Sequence, residues 1–113
     1  MPGTRKLGRV TSHRMSMLHG MVTHLLDAGK LTTTVTRARE VAPLAEKVIT
    51  LAKKNDLAAY RAALKIVTRE DVVKKIFNEA GDKYADRNGG YTRITRVGIR
   101  RGGAAETALL ELV

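Results

Sequence analysis

The chain has 113 residues and a mass of 12.4 kDa, room for one domain with one core, since single domains commonly run to about 100–150 residues. Its 21 Lys and Arg against 11 Asp and Glu leave a formal charge of +10 and a pI near 10.4, a surplus that favours a polyanionic partner, nucleic acid first. The absence of cysteine excludes disulfides, thiolate zinc sites and cysteine nucleophiles, and no apolar run reaches the length of a signal or membrane-spanning segment.

Residues 1–11 carry Arg5, Lys6 and Arg9 between and beside Gly3 and Gly8 and read as an extended basic arm ahead of a single domain over residues 12–113. From Ser12 onward Leu18, Met21, Val22, Leu25 and Leu26 recur at helical spacing, and Gly29 stands where a helix C-cap belongs. Lys30 to Val35 is rich in β-branched residues and too short for a helix, so a brief strand is expected. A second helix follows, with Val41, Leu44, Ala45, Val48, Ile49 and Ala52 on one stripe; Pro43 falls early in it and either kinks its first turn or marks a later start.

Asn55-Asp56 can cap a third helix through about Val67, and Thr68 to Asp71 resembles a capping box opening a fourth that ends at Gly81. Val72, Val73, Ile76, Phe77 and Ala80 form its buried face. Gly89-Gly90 then breaks the chain. Tyr91 to Ile99 reads as a strand, Arg100 to Gly103 as a turn, and Thr107 to Val113 as a last strand that pairs with Tyr91 to Ile99 as a hairpin. Ala108, Leu110 and Leu112 alternate along it with Thr107, Leu109 and Glu111, so one face can cover the helices. The fold class is α+β: about four helices on a small sheet with a C-terminal hairpin.

The charge is uneven. Residues 1–39 hold seven basic and one acidic residue, whereas residues 40–80 hold eight and six, and residues 81–113 six and four. The middle helices therefore read as a mixed-charge scaffold, and the arm and glycine-rich loops as the binding surface. In the arm, Arg5, Lys6 and Arg9, followed by His13 and Arg14, put planar or compact cations on a backbone that can follow phosphates; the plainer alternative is a solvated tail. Arg87, Arg93, Arg96, Arg100 and Arg101 surround Gly89-Gly90, where the backbone can approach an anion closely. Tyr91 beside them is open to two readings, a base-stacking ring or a core residue. Lys30, Arg37 and Arg39 bracket a strand-to-helix junction whose free N–H groups favour anions.

No enzyme can be assembled from these residues. His13, His19 and His24 are spaced by six and five, which scatters them around a helix instead of pairing two on one face for a metal. Ser12 and Ser16 have no base-and-orienter set, and no nucleotide-binding glycine loop is present, so no cofactor or small-molecule substrate is expected. A membrane surface is disfavoured because the basic residues are spread over loops, not ranged along one helix face, and the protein is expected to stay soluble in the cytoplasm. The main rival to an RNA partner is duplex DNA, bound by a small DNA-binding or nucleoid protein. That role needs a recognition helix with basic residues clustered on one face, and these helices carry mixed charge.

Three stretches carry a resemblance over nearly the whole length: Arg5-Lys6-Leu7-Gly8-Arg9 with Ser12-His13-Arg14; Leu31-Thr32-Thr33-Thr34 running into Arg37-Ala38-Arg39-Glu40; and Gly89-Gly90-Tyr91-Thr92-Arg93-Ile94 with the closing Glu111-Leu112-Val113. In this order and at these separations the chain resembles the bacterial large-subunit ribosomal protein L-seventeen family. The resemblance implies a small mixed sheet packed on helices, a place on 23S ribosomal RNA near the solvent side of the exit tunnel, and neighbours such as the large-subunit protein L-thirty-two. It also implies RNA contacts at Arg5, Lys6, Arg9, His13, Arg14 and Arg93. Two departures stand out: the segment between Gly8-Arg9 and Ser12-His13-Arg14 is shorter than in relatives with a longer polar insert, and Val35-Thr36 replaces a proline that many relatives place at the helix start.

Overall fold

In the computed structural model, which describes residues 7–99 and 105–113 and side chains from residue 12 onward, the elements in order are α1 (Leu7–Ala28), β1 (Lys30–Thr34), α2 (Val35–Lys54), α3 (Leu57–Leu64), α4 (Glu70–Lys83), β2 (Thr92–Ile99) and β3 (Glu106–Leu112). Helix α2 organises them. Val35, Ala38, Val41, Ala45, Val48, Ile49 and Ala52 recur every three or four positions with one exception and are all buried, while Arg37, Arg39, Lys47 and Lys54 face water. The small side chains of Ala38, Ala45 and Ala52 thin that stripe, and α2 touches every other element. Leu25, Leu26, Ile49 and Leu110 are the largest fully buried side chains, so the core is aliphatic as the composition required, each such residue contributing about 1.5–3 kcal/mol.

The sheet order is β1-β3-β2, with β3 antiparallel to both neighbours. The expected α+β architecture and C-terminal hairpin are present, but the sheet is antiparallel throughout, not mixed: β1 and β2 run the same way, and the C-terminal strand lies between them. Ala108 and Leu110 of β3 are fully buried under the helices, as their alternation predicts. A bulge falls between Arg96 and Gly98, and β2 is exposed from Arg93 to its end, Ile94, Val97 and Ile99 included. No helix of the described residues is long and apolar enough to cross a membrane.

Each of the four helices has a boundary that differs from the sequence expectation. Helix α1 begins at Leu7, so the anticipated division between arm and domain after residue 11 falls inside a helix: no proline interrupts Leu7 to Ser12, and extending a nucleated helix costs little. Helix α2 begins at Val35, well before Pro43; Thr34 caps it by accepting the Arg37 N–H at 3.3 Å, and Pro43 lies on the exposed side. Helix α3 stops at Leu64 because the β-branched run Ile66-Val67-Thr68 turns inward, burying Val67. The capping box at Thr68 does not form: its N–H and hydroxyl are engaged by Thr23 of α1 at 2.9 and 3.1 Å, α4 opens at Glu70 without a side-chain cap, and it runs past Gly81 to Lys83.

Candidate nucleic-acid interface

The N-terminal halves of α1 and α2 meet beside the end of β1, and there two of the anticipated arginines come together. Strand β1 passes into α2 without a loop, so the positive end of that helix opens at Thr34. Arg14, Met17, Thr34, Thr36, Arg37 and Glu40 line an open hollow at this junction. Glu40 accepts from Arg14, whose Nε lies 3.1 Å from Oε2, and the Arg37 guanidinium rests on the Met17 sulfur. Both arginines are exposed, so these contacts add little stability. Their effect is to hold two five-donor forks over one hollow, with donors left for an anion. His13 is exposed beside Arg14, whereas Arg39 leaves α2 on the other side of buried Ala38 and makes no ion pair among the described residues.

A second group surrounds the glycine-rich turn. Gly89 and Gly90 have φ of +137° and +64°, conformations that favour glycine, and the turn between them and Arg87 is tied together by its own side chains. Arg87 donates from Nη1 to the Gly90 carbonyl at 3.1 Å, while its carbonyl accepts from Lys53 and, at 3.3 Å, from the Tyr91 hydroxyl. Tyr91 is buried and meets the Tyr84 ring edge-on at 5.0 Å, which decides between its two readings: it is a core residue and no base can stack on it. Lys53 of α2, which reaches both the Arg87 carbonyl and the Tyr91 hydroxyl, is the fastener of this turn.

The sheet carries the third group. Register places Lys30 and Arg93 on either side of Glu111, with Arg93 Nη2 3.6 Å from that carboxylate, and Arg96 lies 3.3 Å from Glu106. The acids that orient these arginines, Glu40, Glu106 and Glu111, were invisible as partners in the sequence, because they lie at separations as long as the 26 positions between Arg14 and Glu40. Arg5, Lys6, Arg100 and Arg101 lie outside the described residues, and Arg9 falls in the first turn of α1 with its side chain likewise outside them.

The opposite end of α1 is different in kind. Arg69 bridges Asp27 at 3.1 Å and Asp71 at 2.6 Å, and Lys75 donates to the Asp27 carbonyl at 2.8 Å, so these cations close the helix C-terminus. The hydrogen bond from Arg69 holds the Asp71 carboxyl below its ordinary range, and the two acids raise Arg69 in turn. Basic residues thus close the helix at one end, while at the other Arg14 and Arg37, each held by one partner, keep further guanidinium donors free. Among the described residues no group of three or more His, Asp or Glu is arranged to hold a metal ion.

Comparison with known proteins gives a consistent answer. A family model described as ribosomal protein L17 matches residues 17–113. A large ribosomal subunit protein bL17 from Clostridium tetani is 59% identical over the whole of both chains. The protein of that name from Clostridium acetobutylicum is 59% identical over 98% of this chain and 97% of its own, and one from Clostridium botulinum is 57% identical over the whole of both.

Proposed function

The chain belongs to the ribosomal protein L17 family, and from that premise we propose that it is a constituent of the bacterial large ribosomal subunit that binds and stabilises folded 23S ribosomal RNA. The observation that carries the reading is the α1–α2 junction, where Arg14 and Arg37 are oriented over one hollow at a helix N-terminus on a chain of charge +10. The mechanism is electrostatic positioning. Guanidinium forks at Arg14, Arg37, Arg87, Arg93 and Arg96, with Lys30, His13 and Arg39 around them, neutralise phosphates so that neighbouring RNA segments approach each other. Arg5, Lys6, Arg9, Arg100 and Arg101, read from the sequence alone, add further cations for the same partner. With Tyr84 and Tyr91 in the core and Tyr60 packed on Phe77, no tyrosine or phenylalanine ring stands exposed for base stacking, which favours reading of backbone and shape. Neighbouring large-subunit proteins, L-thirty-two among them on the family resemblance, complete its surroundings in the cytoplasmic ribosome.

The test is sedimentation of a lysate through a sucrose gradient at moderate magnesium, with this protein detected in each fraction. The expected result is co-migration with large subunits that survives a salt wash. A pool confined to free or nucleoid fractions would replace this reading with a DNA-binding one.

A further inference from the structure

Among the described residues nothing covers one face of the sheet. Register sets Thr32, Leu109 and Thr95 in one row across β1, β3 and β2, and Lys30, Glu111 and Arg93 in the next. These positions alternate with Ala108 and Leu110, which are buried under the helices, so both rows face away from the core. Helix α1 stands beside β1 and walls this face, with His24 and Ala28 lining an open hollow together with Lys30, Thr32 and Leu109.

The threonine hydroxyls of the sheet are not equivalent. Thr34 accepts the Arg37 N–H, Thr92 donates to Glu46 at 2.6 Å, and Thr107 donates to the Gly98 carbonyl at 2.9 Å. Thr32 and Thr95 are exposed and make no side-chain hydrogen bond among the described residues. They lie two strand spacings apart, roughly 10 Å, on a rigid backbone.

We propose that this face reads ribose: the Thr32 and Thr95 hydroxyls hydrogen-bond sugar 2′-hydroxyls of RNA, Leu109 packs against the sugars between them, and Lys30, Arg93 and His24 border the phosphates. Charge selects the occupant, because the row beside the hydroxyls carries two cations to one carboxylate and the molecule is strongly basic. A second copy of the chain would bring like charges together. The hydroxyl chemistry then favours RNA over DNA, since the 2′-hydroxyl both donates and accepts, as threonine does, and a broad strand face fits the wide, shallow minor groove of an A-form helix. The inference rests on the ribosomal RNA reading and adds to it a chemical feature by which RNA is told from DNA.

The experiment uses the full chain, the double variant Thr32→Val with Thr95→Val, and in vitro transcribed 23S RNA, read by acylation of 2′-hydroxyls and by affinity at several salt concentrations. Valine keeps the β-branched shape, so the strands remain. The unaltered protein is expected to protect a discrete set of riboses. The valine pair should expose them and weaken binding by about two- to tenfold per hydroxyl, with the salt slope unchanged because the charge is the same. Thr32→Ser with Thr95→Ser should restore protection. Identical footprints and affinities for the valine pair and the unaltered protein, with both folded by circular dichroism, would overturn the proposal and leave the ribosomal reading standing. Failure of the unaltered protein to bind the transcript at all would overturn both. A dimer at the binding concentration that the valine pair abolishes would overturn it too, and assign the face to a second copy.

Discussion

Thr23 is buried in the middle of α1, and its single oxygen serves three partners: it donates to the His19 carbonyl at 2.8 Å and receives the N–H and hydroxyl of Thr68. This is what fixes the entry to α4 in place of a capping box. Thr23→Val should cost about 1–2 kcal/mol, because valine fills the space and leaves the Thr68 groups without their partner; an unchanged denaturant midpoint would show that the two threonines only touch. Tyr84 presents the opposite case. Its hydroxyl is buried with no hydrogen-bond partner among the described residues, so Tyr84→Phe should leave the unfolding free energy unchanged or raised, and a drop above about 1 kcal/mol would reveal a partner. At this scale the sequence is least informative. Nothing in the local pattern distinguishes Thr23, which ties α1 to the segment leading into α4, from Thr32, which faces solvent, because both roles depend on residues far along the chain.

Asn55 and Asp56 divide one junction between two helices. Asn55 adopts a left-handed conformation, φ +55°, and returns its N–H to Leu51 at the end of α2, while Asp56 accepts the Ala59 N–H at 2.7 Å and opens α3. Helix α3 spans only Leu57–Leu64, too short to persist without its cap and its packing on α2 and α4. Asp56→Ala should therefore cost about 0.5–2 kcal/mol, and amide exchange should quicken in α3 before it does in α2. Equal protection in both helices would mean that packing alone holds α3. Elements with strong periodicity, α2 and α4, or strict alternation, β3, were legible in the sequence because their period mirrors the face they bury. The ends were less so: α1 starts earlier and α3 stops sooner than local signals suggest, since helix propagation sets one and burial of Val67 the other.

For the molecule as a whole, the division of its cations predicts a salt dependence. Arg14 and Arg37 are oriented over an open hollow, whereas Arg69 is engaged by Asp27 and Asp71 at the far end of α1. Arg14→Ala or Arg37→Ala should make the fall of log affinity for ribosomal RNA with log salt shallower, by roughly 0.7–0.9 for each phosphate that the arginine neutralises, and Arg69→Ala should leave it unchanged. Equal slopes for all three variants would mean that the net charge, and not the junction, carries the binding. The class of fold, the aliphatic core, the basic character and the motifs that resemble one family were all legible in the order of residues. Composition and short-range periodicity suffice for these, since each is a property of neighbouring residues. The place of β3 between β1 and β2, the burial of Tyr91 and the arginines that share a hollow emerge only in the folded chain. Each of those depends on pairing between residues distant in the chain, such as Arg14 with Glu40 or Lys30 with Glu111, and strand order and packing, not local pattern, bring them together.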